Sequence, residues 1–72
     1  MNREQIRDTY VQRVEAILQE RKLNEDLAEF RNLVAEGDLR KAYVFVDRLK
    51  LNEMQSDSFR RADEDFYWTF VQ

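Results

Sequence analysis

Gly37 is the only glycine in this 72-residue chain, and proline is absent. Folds rich in tight turns use both residues, glycine for positive φ and proline to pre-set the turn. A chain this poor in them is steered toward helices joined by short connections. The apolar spacing agrees: Ile6, Tyr10, Val14, Ile17 and Leu18 recur at three- and four-residue steps, one stripe of an amphipathic helix. Asn2 followed by Gln5 matches a capping box, in which each side chain bonds to the other residue's backbone amide. The pattern predicts a first helix over about residues 3–22, with Arg21 and Lys22 at its end opposing the negative end of the helix dipole.

The tetrapeptide Lys-Leu-Asn-Glu occurs twice, at 22–25 and 50–53. In the first copy Lys22 closes one helix, Leu23 turns inward and Asn24 caps the next helix. Glu25 and Asp26 then fall in its first turn, where negative charge is favoured. This second helix, over about 25–36, carries Leu27, Phe30, Leu33 and Val34, with Gly37 as its stop. Asp38 is placed to cap a third helix over about 39–51, whose stripe is Leu39, Ala42, Tyr43, Val46 and Leu49. In the second copy Lys50 sits near a helix end, Leu51 turns inward, and Asn52 stops or restarts the chain. Residues 55–58 offer several caps for a fourth helix over about 58–71, with Phe59, Ala62, Phe66, Tyr67 and Phe70 on its apolar side. Sliding the sequence by the offset between the copies aligns little else, so the tetrapeptide reads as punctuation and not as duplication.

The fold expected is all-α: one domain over residues 1–72, a small antiparallel bundle of three to four helices. A competing arrangement keeps two to three helices and pairs residues 42–46 with 66–71 as a two-stranded ribbon, because both stretches are rich in β-branched and aromatic residues. An isolated pair of strands is marginal in water and helical spacing runs through both flanks, which ranks the ribbon second. A domain this small gains about 3–5 kcal/mol from its core. With neither cysteine nor histidine, disulfides and structural zinc are excluded as staples.

The segment from Gly37 through Arg40, Lys41 and Ala42 to Leu49 resembles the turn and second helix of a tetratricopeptide repeat, over about half of one repeat. In that family the glycine makes the turn and the alanine lets two helices approach. The resemblance implies a helical hairpin of the second and third helices.

Charge alternates along the chain. Residues 1–22 hold five basic and four acidic side chains, residues 23–37 one and four, residues 38–51 four and two, and residues 52–72 two and five. In an up-down bundle these segments would be neighbours, so opposite charges are expected to line each junction. A sharper alternative gathers Arg3, Arg7, Arg40, Lys41 and Arg48 on one side of the molecule. The overall formal charge of −3 disfavours a general nucleic-acid coat. No apolar run approaches the ~18 residues of a membrane span and the first residues alternate charges in place of a signal-peptide pattern, so the chain is expected to be soluble and cytoplasmic, in the host cytoplasm if viral.

Enzyme readings fail by absence. General bases, nucleophiles and metal ligands draw mostly on His, Cys or a positioned Ser. Here His and Cys are missing, Ser56 and Ser58 lie in a capping stretch, and one glycine cannot make a phosphate-cradling loop. No catalytic residue, cofactor or metal is expected.

The most distinctive stretch is Asp63-Glu64-Asp65-Phe66-Tyr67-Trp68-Thr69-Phe70. Each helical residue advances about 100°, so Trp68 points away from Phe66, and four rings cannot all face one core. Either the tail lies in a groove with Trp68 against a second helix, or Tyr67 and Trp68 form an exposed anchor. Tyr, Trp and Arg are over-represented in interface hot spots. The function expected is a non-enzymatic adaptor or inhibitor that binds a larger protein through Phe66, Tyr67, Trp68 and Phe70 with Arg60 and Arg61; a homodimer through the tail is a further reading. The alternative is a nucleic-acid-binding module using the arginines of the first and third helices. For that reading the size and four-helix plan resemble the HRDC module of RecQ-type helicases, and small accessory proteins that T-even-type phages encode beside a recombination helicase. The resemblance spans the whole chain at the level of architecture and implies a basic binding surface in recombination or repair.

Overall fold

The computed structural model describes residues 2–51 and 56–72. Four α-helices, α1 (Arg3–Glu20), α2 (Asn24–Ala35), α3 (Leu39–Arg48) and α4 (Asp57–Phe66), follow in order, and α4 runs directly into a π-helical segment, Tyr67–Val71. Both stretches that favoured a ribbon are helical: residues 42–46 lie in α3, and residues 66–71 end α4 and form the π segment. α1 packs against α2 and α4, α2 against α3, and α3 against the π segment, which returns the chain to its beginning. The radius of gyration, 11.1 Å, is what a compact chain of this length should have, about 11 Å.

The caps explain where each helix starts. Asn2 accepts the Gln5 amide at 2.8 Å while Gln5 accepts the Asn2 amide at 3.2 Å, completing the capping box. Ser56 caps α4 by accepting from the Phe59 amide at 3.4 Å. Asn24 does not cap α2. It is the first residue of that helix, with Leu23 in the cap position and no side-chain capping bond.

The reason lies in how α1 stops. Lys22 adopts the left-handed conformation, φ 59°, its N–H donates to the Gln19 carbonyl at 3.0 Å, and the Leu23 N–H donates to the Leu18 carbonyl at 2.9 Å. That pair of bonds is the Schellman stop. It delivers Leu23 onto the core and lets its carbonyl accept the first bond of α2 from Leu27, so Asn24 is already past the cap. Gly37 ends α2 in the same way, at φ 81°, with bonds to Val34 and, through Asp38, to Leu33. Lys50 repeats the left-handed turn at φ 55°.

The repeated tetrapeptide is therefore a helix stop with lysine in the glycine-like position. It also shortens two expected helices. α1 ends at Glu20, leaving Arg21 and Lys22 outside its last turn, and α3 ends at Arg48, before Lys50. Asp38 holds the cap position of α3 without a side-chain bond. Asn52, Gln55 and the question of how the chain passes Met54 fall outside the described residues.

The core is one cluster. Tyr10, Val14 and Leu18 of α1 meet Leu27 and Phe30 of α2, Ala42 and Val46 of α3, Leu51, and Phe59 and Phe66 of α4. Tyr10 stands at its centre, its ring within 6.4 Å of Phe30, 6.2 Å of Tyr43 and Phe59, and 4.0 Å of Phe66.

Opposite charges meet at the junction of α1 and α2. Arg31 pairs there with Glu15 at 2.8 Å, the single basic residue of the acidic second segment reaching an acid of the basic first one. Arg7–Asp8 and Arg60–Asp57 are local pairs. Among the described residues no helix is long and apolar enough to cross a membrane.

Candidate interaction surface

The C-terminal segment divides its aromatic residues between core and surface. α4 brings Phe59, Ala62 and Phe66 inward at three- and four-residue steps, so that Phe66 stacks on Tyr10 with no surface exposed. The helix then widens. The Gln72 N–H donates to the Tyr67 carbonyl at 2.9 Å, a five-residue step that places more residues in each turn. Phe70, four residues after Phe66, lies within 5.0 Å of the Phe66 ring and packs on the core with Val71, while the Arg3 guanidinium covers Phe70 at 4.8 Å. Single-turn π segments of this kind occur frequently at functional sites.

Tyr67 and Trp68 lie on the outside of that turn. Tyr67 is 36 % exposed and Trp68 59 %; with Val44 at 42 % they are the large hydrophobic residues left exposed among the described ones. Neither ring floats free. Tyr67 sits 5.4 Å from the Tyr43 ring of α3, and Trp68 meets Tyr67 edge-on at 5.4 Å and 88°. Of the six residues assigned to a partner surface from sequence, Phe66 is thus internal, Phe70 is half-buried under Arg3, and Tyr67 and Trp68 form the exposed part. Arg60 and Arg61 are exposed elsewhere. They line a groove of about 640 Å³ between α1 and α4, which Tyr67 and Trp68 do not line, and Arg60 is paired to Asp57 at 3.6 Å.

The five basic residues of the alternative face are partly gathered. Arg40, Lys41 and Arg48 share one groove of about 460 Å³ with Leu33, Val44 and Phe45. Arg40 also lines a neighbouring hollow with Arg3, Gly37, Thr69 and Phe70. Arg7 lines neither and is paired to Asp8 at 3.1 Å.

Beneath the Tyr67 ring lies a polar contact that the sequence did not announce. The Tyr43 hydroxyl donates to Asp63 Oδ2 at 3.3 Å. Burial, followed by the charge of Asp63, pushes the Tyr43 phenol up to about 12. Burial also raises the Asp63 carboxyl, against the Tyr43 hydrogen bond that favours its ionised form, and the acids Asp47 and Glu64 raise it further. The Tyr10 hydroxyl is buried nearby with no hydrogen-bond partner among the described residues, and burial raises its phenol well above the ordinary value, with Asp63 adding to it. The one signal of this group in the sequence was Tyr43 falling on the inward stripe of the third helix.

Compared with known proteins, the chain matches no family model, no curated protein and no solved structure.

Proposed function

We propose that this protein is a non-enzymatic protein–protein interaction module, an adaptor or inhibitor that docks a larger protein on Tyr67 and Trp68. One observation carries the reading: Trp68 is 59 % exposed on the same helical run in which Phe66 is fully buried. A tryptophan left largely in water gives up most of the burial that a core position would supply, about 25 cal/mol for every Å² of apolar surface. Its edge-on contact with Tyr67, itself held by Tyr43, restricts the ring before any partner arrives. A restricted aromatic loses little conformational freedom on binding, which favours an anchor role.

Trp68 is the single tryptophan, so its fluorescence reports on this surface alone. The expected result is a red-shifted native emission, accessible to a neutral quencher, that turns blue when a partner is bound. Site-specific crosslinking from Trp68 should trap a partner that Trp68→Ala no longer binds, with helicity unchanged. A blue, shielded emission in the isolated monomer would remove the reading.

A second reading, nucleic-acid binding in the manner of an HRDC-like module, has its own support. Arg40, Lys41 and Arg48 line one groove, Arg3 and Arg40 line its neighbour, and none of the four has an ion-pair partner among the described residues. Three phosphate contacts would give a log–log salt slope of about −2 to −3. Binding to single-stranded or branched DNA with that slope, lost on Arg40→Glu, would favour this reading over the first.

A further inference from the structure

The groove of about 460 Å³ shared by α2 and α3 is lined by two kinds of residue, apolar and basic. Leu33 of α2 with Val44 and Phe45 of α3 make its apolar part, and Arg40, Lys41 and Arg48 make the rest. Spacing along α3 explains the order. Arg40, Val44 and Arg48 follow at four-residue steps, and so do Lys41 and Phe45, so two neighbouring rows of one helix face set an apolar centre between cations. Arg40 and Arg48 stand about 12 Å apart along the axis. Among the described residues no acid answers these charges. The groove lining holds none, and Glu29 and Glu36, the acids nearest Leu33 in sequence, are not part of it. Asp47, the acid of α3, bears instead on Tyr43 and Asp63. Arg40, Lys41 and Arg48 are exposed, none has an ion-pair partner among the described residues, and Val44 between them is exposed as well.

We propose that this groove is a second docking site, which takes an acidic amphipathic helix of another protein. The occupant follows from what the groove offers and what it lacks. It must bring apolar side chains to cover Leu33, Val44 and Phe45, and negative charge to meet three cations at once. A helix laid along the seam of two packed helices supplies both from one face, with apolar residues at three- and four-residue steps and acids bordering that stripe. Charge of that sign also speeds the encounter and rejects basic or neutral competitors. A phosphate backbone would answer the cations and leave the apolar centre uncovered, so the lining favours a peptide over a nucleic acid. Neither Tyr67 nor Trp68 lines this groove. The site therefore lies beyond the anchor reading and stands or falls without it.

The test is selection of ligands for the full chain from a displayed library of helical peptides of about 15 residues. Each peptide carries leucine at three- and four-residue steps, with Glu, Gln or Lys drawn at random at the positions bordering that stripe. Selected peptides are then titrated against the wild type, the double variant Arg40→Glu with Arg48→Glu, Val44→Ser and Trp68→Ala. All four positions are exposed, and far-ultraviolet circular dichroism checks that helicity is kept. Glutamate should be enriched over lysine in the peptides that the wild type selects, and lysine over glutamate in those that the double variant selects. Binding of the glutamate-rich peptides should weaken at least about tenfold in the double variant and also at high salt. Val44→Ser should weaken it roughly fivefold or more, since the apolar centre is lost, and Trp68→Ala should leave it unchanged. No enrichment at all, enrichment indifferent to charge, or binding that survives the double variant would each overturn the proposal. Peptides lost only on Trp68→Ala would overturn it too, while supporting the anchor reading. So would a single-stranded DNA oligonucleotide that binds where no peptide is selected and is lost on the double variant but kept in Val44→Ser, because the groove would then belong to nucleic acid. Self-association in sedimentation equilibrium that the double variant abolishes would put a second copy in the groove and overturn it as well.

Discussion

Tyr10 and Phe66 lie face to face, with ring centroids 4.0 Å apart and planes 12° from parallel, and neither ring has any exposed surface. The pair ties the first helix to the last. Tyr10 also touches Phe30, Tyr43 and Phe59, so each of the other three helices reaches the same ring. Closure of the bundle and presentation of the tail consequently depend on one contact. Phe66 fixes where α4 ends, and the π segment that carries Tyr67 and Trp68 starts from it.

Phe66→Ala should therefore cost about 3–5 kcal/mol, as large aromatic truncations in cores do. That is about the whole stability of a domain this size, so helical circular dichroism at 25 °C should be largely lost (roughly the temperature at which these energies apply). Trp68→Ala should leave the urea midpoint within about 0.5 kcal/mol of wild type, as an exposed substitution does. Similar losses from the two substitutions would mean that Trp68 carries part of the core.

Tyr10→Phe isolates the cost of one oxygen. The ring stack is kept and a buried hydroxyl without a partner is removed. Leaving such a group unsatisfied costs about 1–3 kcal/mol, so the substitution should stabilise the protein by about 1 kcal/mol or more. For a domain of this length each 1 kcal/mol is about 4–8 °C in Tm, which a thermal melt resolves readily. A lower Tm would show that the hydroxyl has a partner in solution.

Much of the fold was legible in the sequence because its signals are local. The stripes of Tyr10, Val14 and Leu18, the Asn2–Gln5 box and the single glycine each act within one or two turns, and each predicts its element. What was misread depends on a backbone choice that residue type does not reveal. Lysine rarely adopts positive φ, so Lys22 reads as a dipole partner and Lys50 only as a residue near a helix end, and the pattern makes both helices too long. In the candidate surface, helical geometry separated Trp68 from Phe66. It could not place Arg60 and Arg61 in a different groove from Trp68, because that depends on where α1 packs. Nor could it find the bond from Tyr43 to Asp63, a contact between residues 20 positions apart.

The lysine stops carry their own consequence. A side chain in the left-handed region crowds its carbonyl at a cost of about 1–2 kcal/mol, part of which glycine returns through its freer unfolded state. Lys22→Gly and Lys50→Gly should each raise stability by about 0.5–1 kcal/mol. Gly37→Ala should lower it by about 1 kcal/mol, and through conformation alone, because a Cβ there meets nothing within 4 Å. Urea unfolding of the three variants checks both signs. Destabilisation by either lysine substitution would mean that its aliphatic stem contributes more packing than the turn costs.

The Tyr43–Asp63 contact makes stability depend on pH at both ends of the scale. Tyr43 holds its proton up to about 12, while an unfolded tyrosine releases it near 10.0. Between those values the folded state binds more protons than the unfolded one, so stability falls as pH rises through the window. Tyr10, raised chiefly by burial, acts in the same direction above the ordinary tyrosine value. Asp63 is also raised, by burial above all, from an ordinary 3.8. Its folded state keeps a proton that the unfolded chain has lost, so its contribution to stability grows as pH falls through the folded value toward 3.8 and is level below it. Urea midpoints measured across pH should drop steeply above about 10 and carry an upward step toward acid from this one group. Tyr43→Phe combined with Tyr10→Phe should remove most of the alkaline drop. Asp63→Asn keeps an acceptor for the Tyr43 hydroxyl while removing the charge; it should raise stability at neutral pH and erase the acid-side step. An alkaline drop that survives both tyrosine substitutions would place its cause outside this cluster, and an Asp63→Asn variant less stable than wild type at neutral pH would show that the ionised carboxylate strengthens the Tyr43 bond by more than its burial costs.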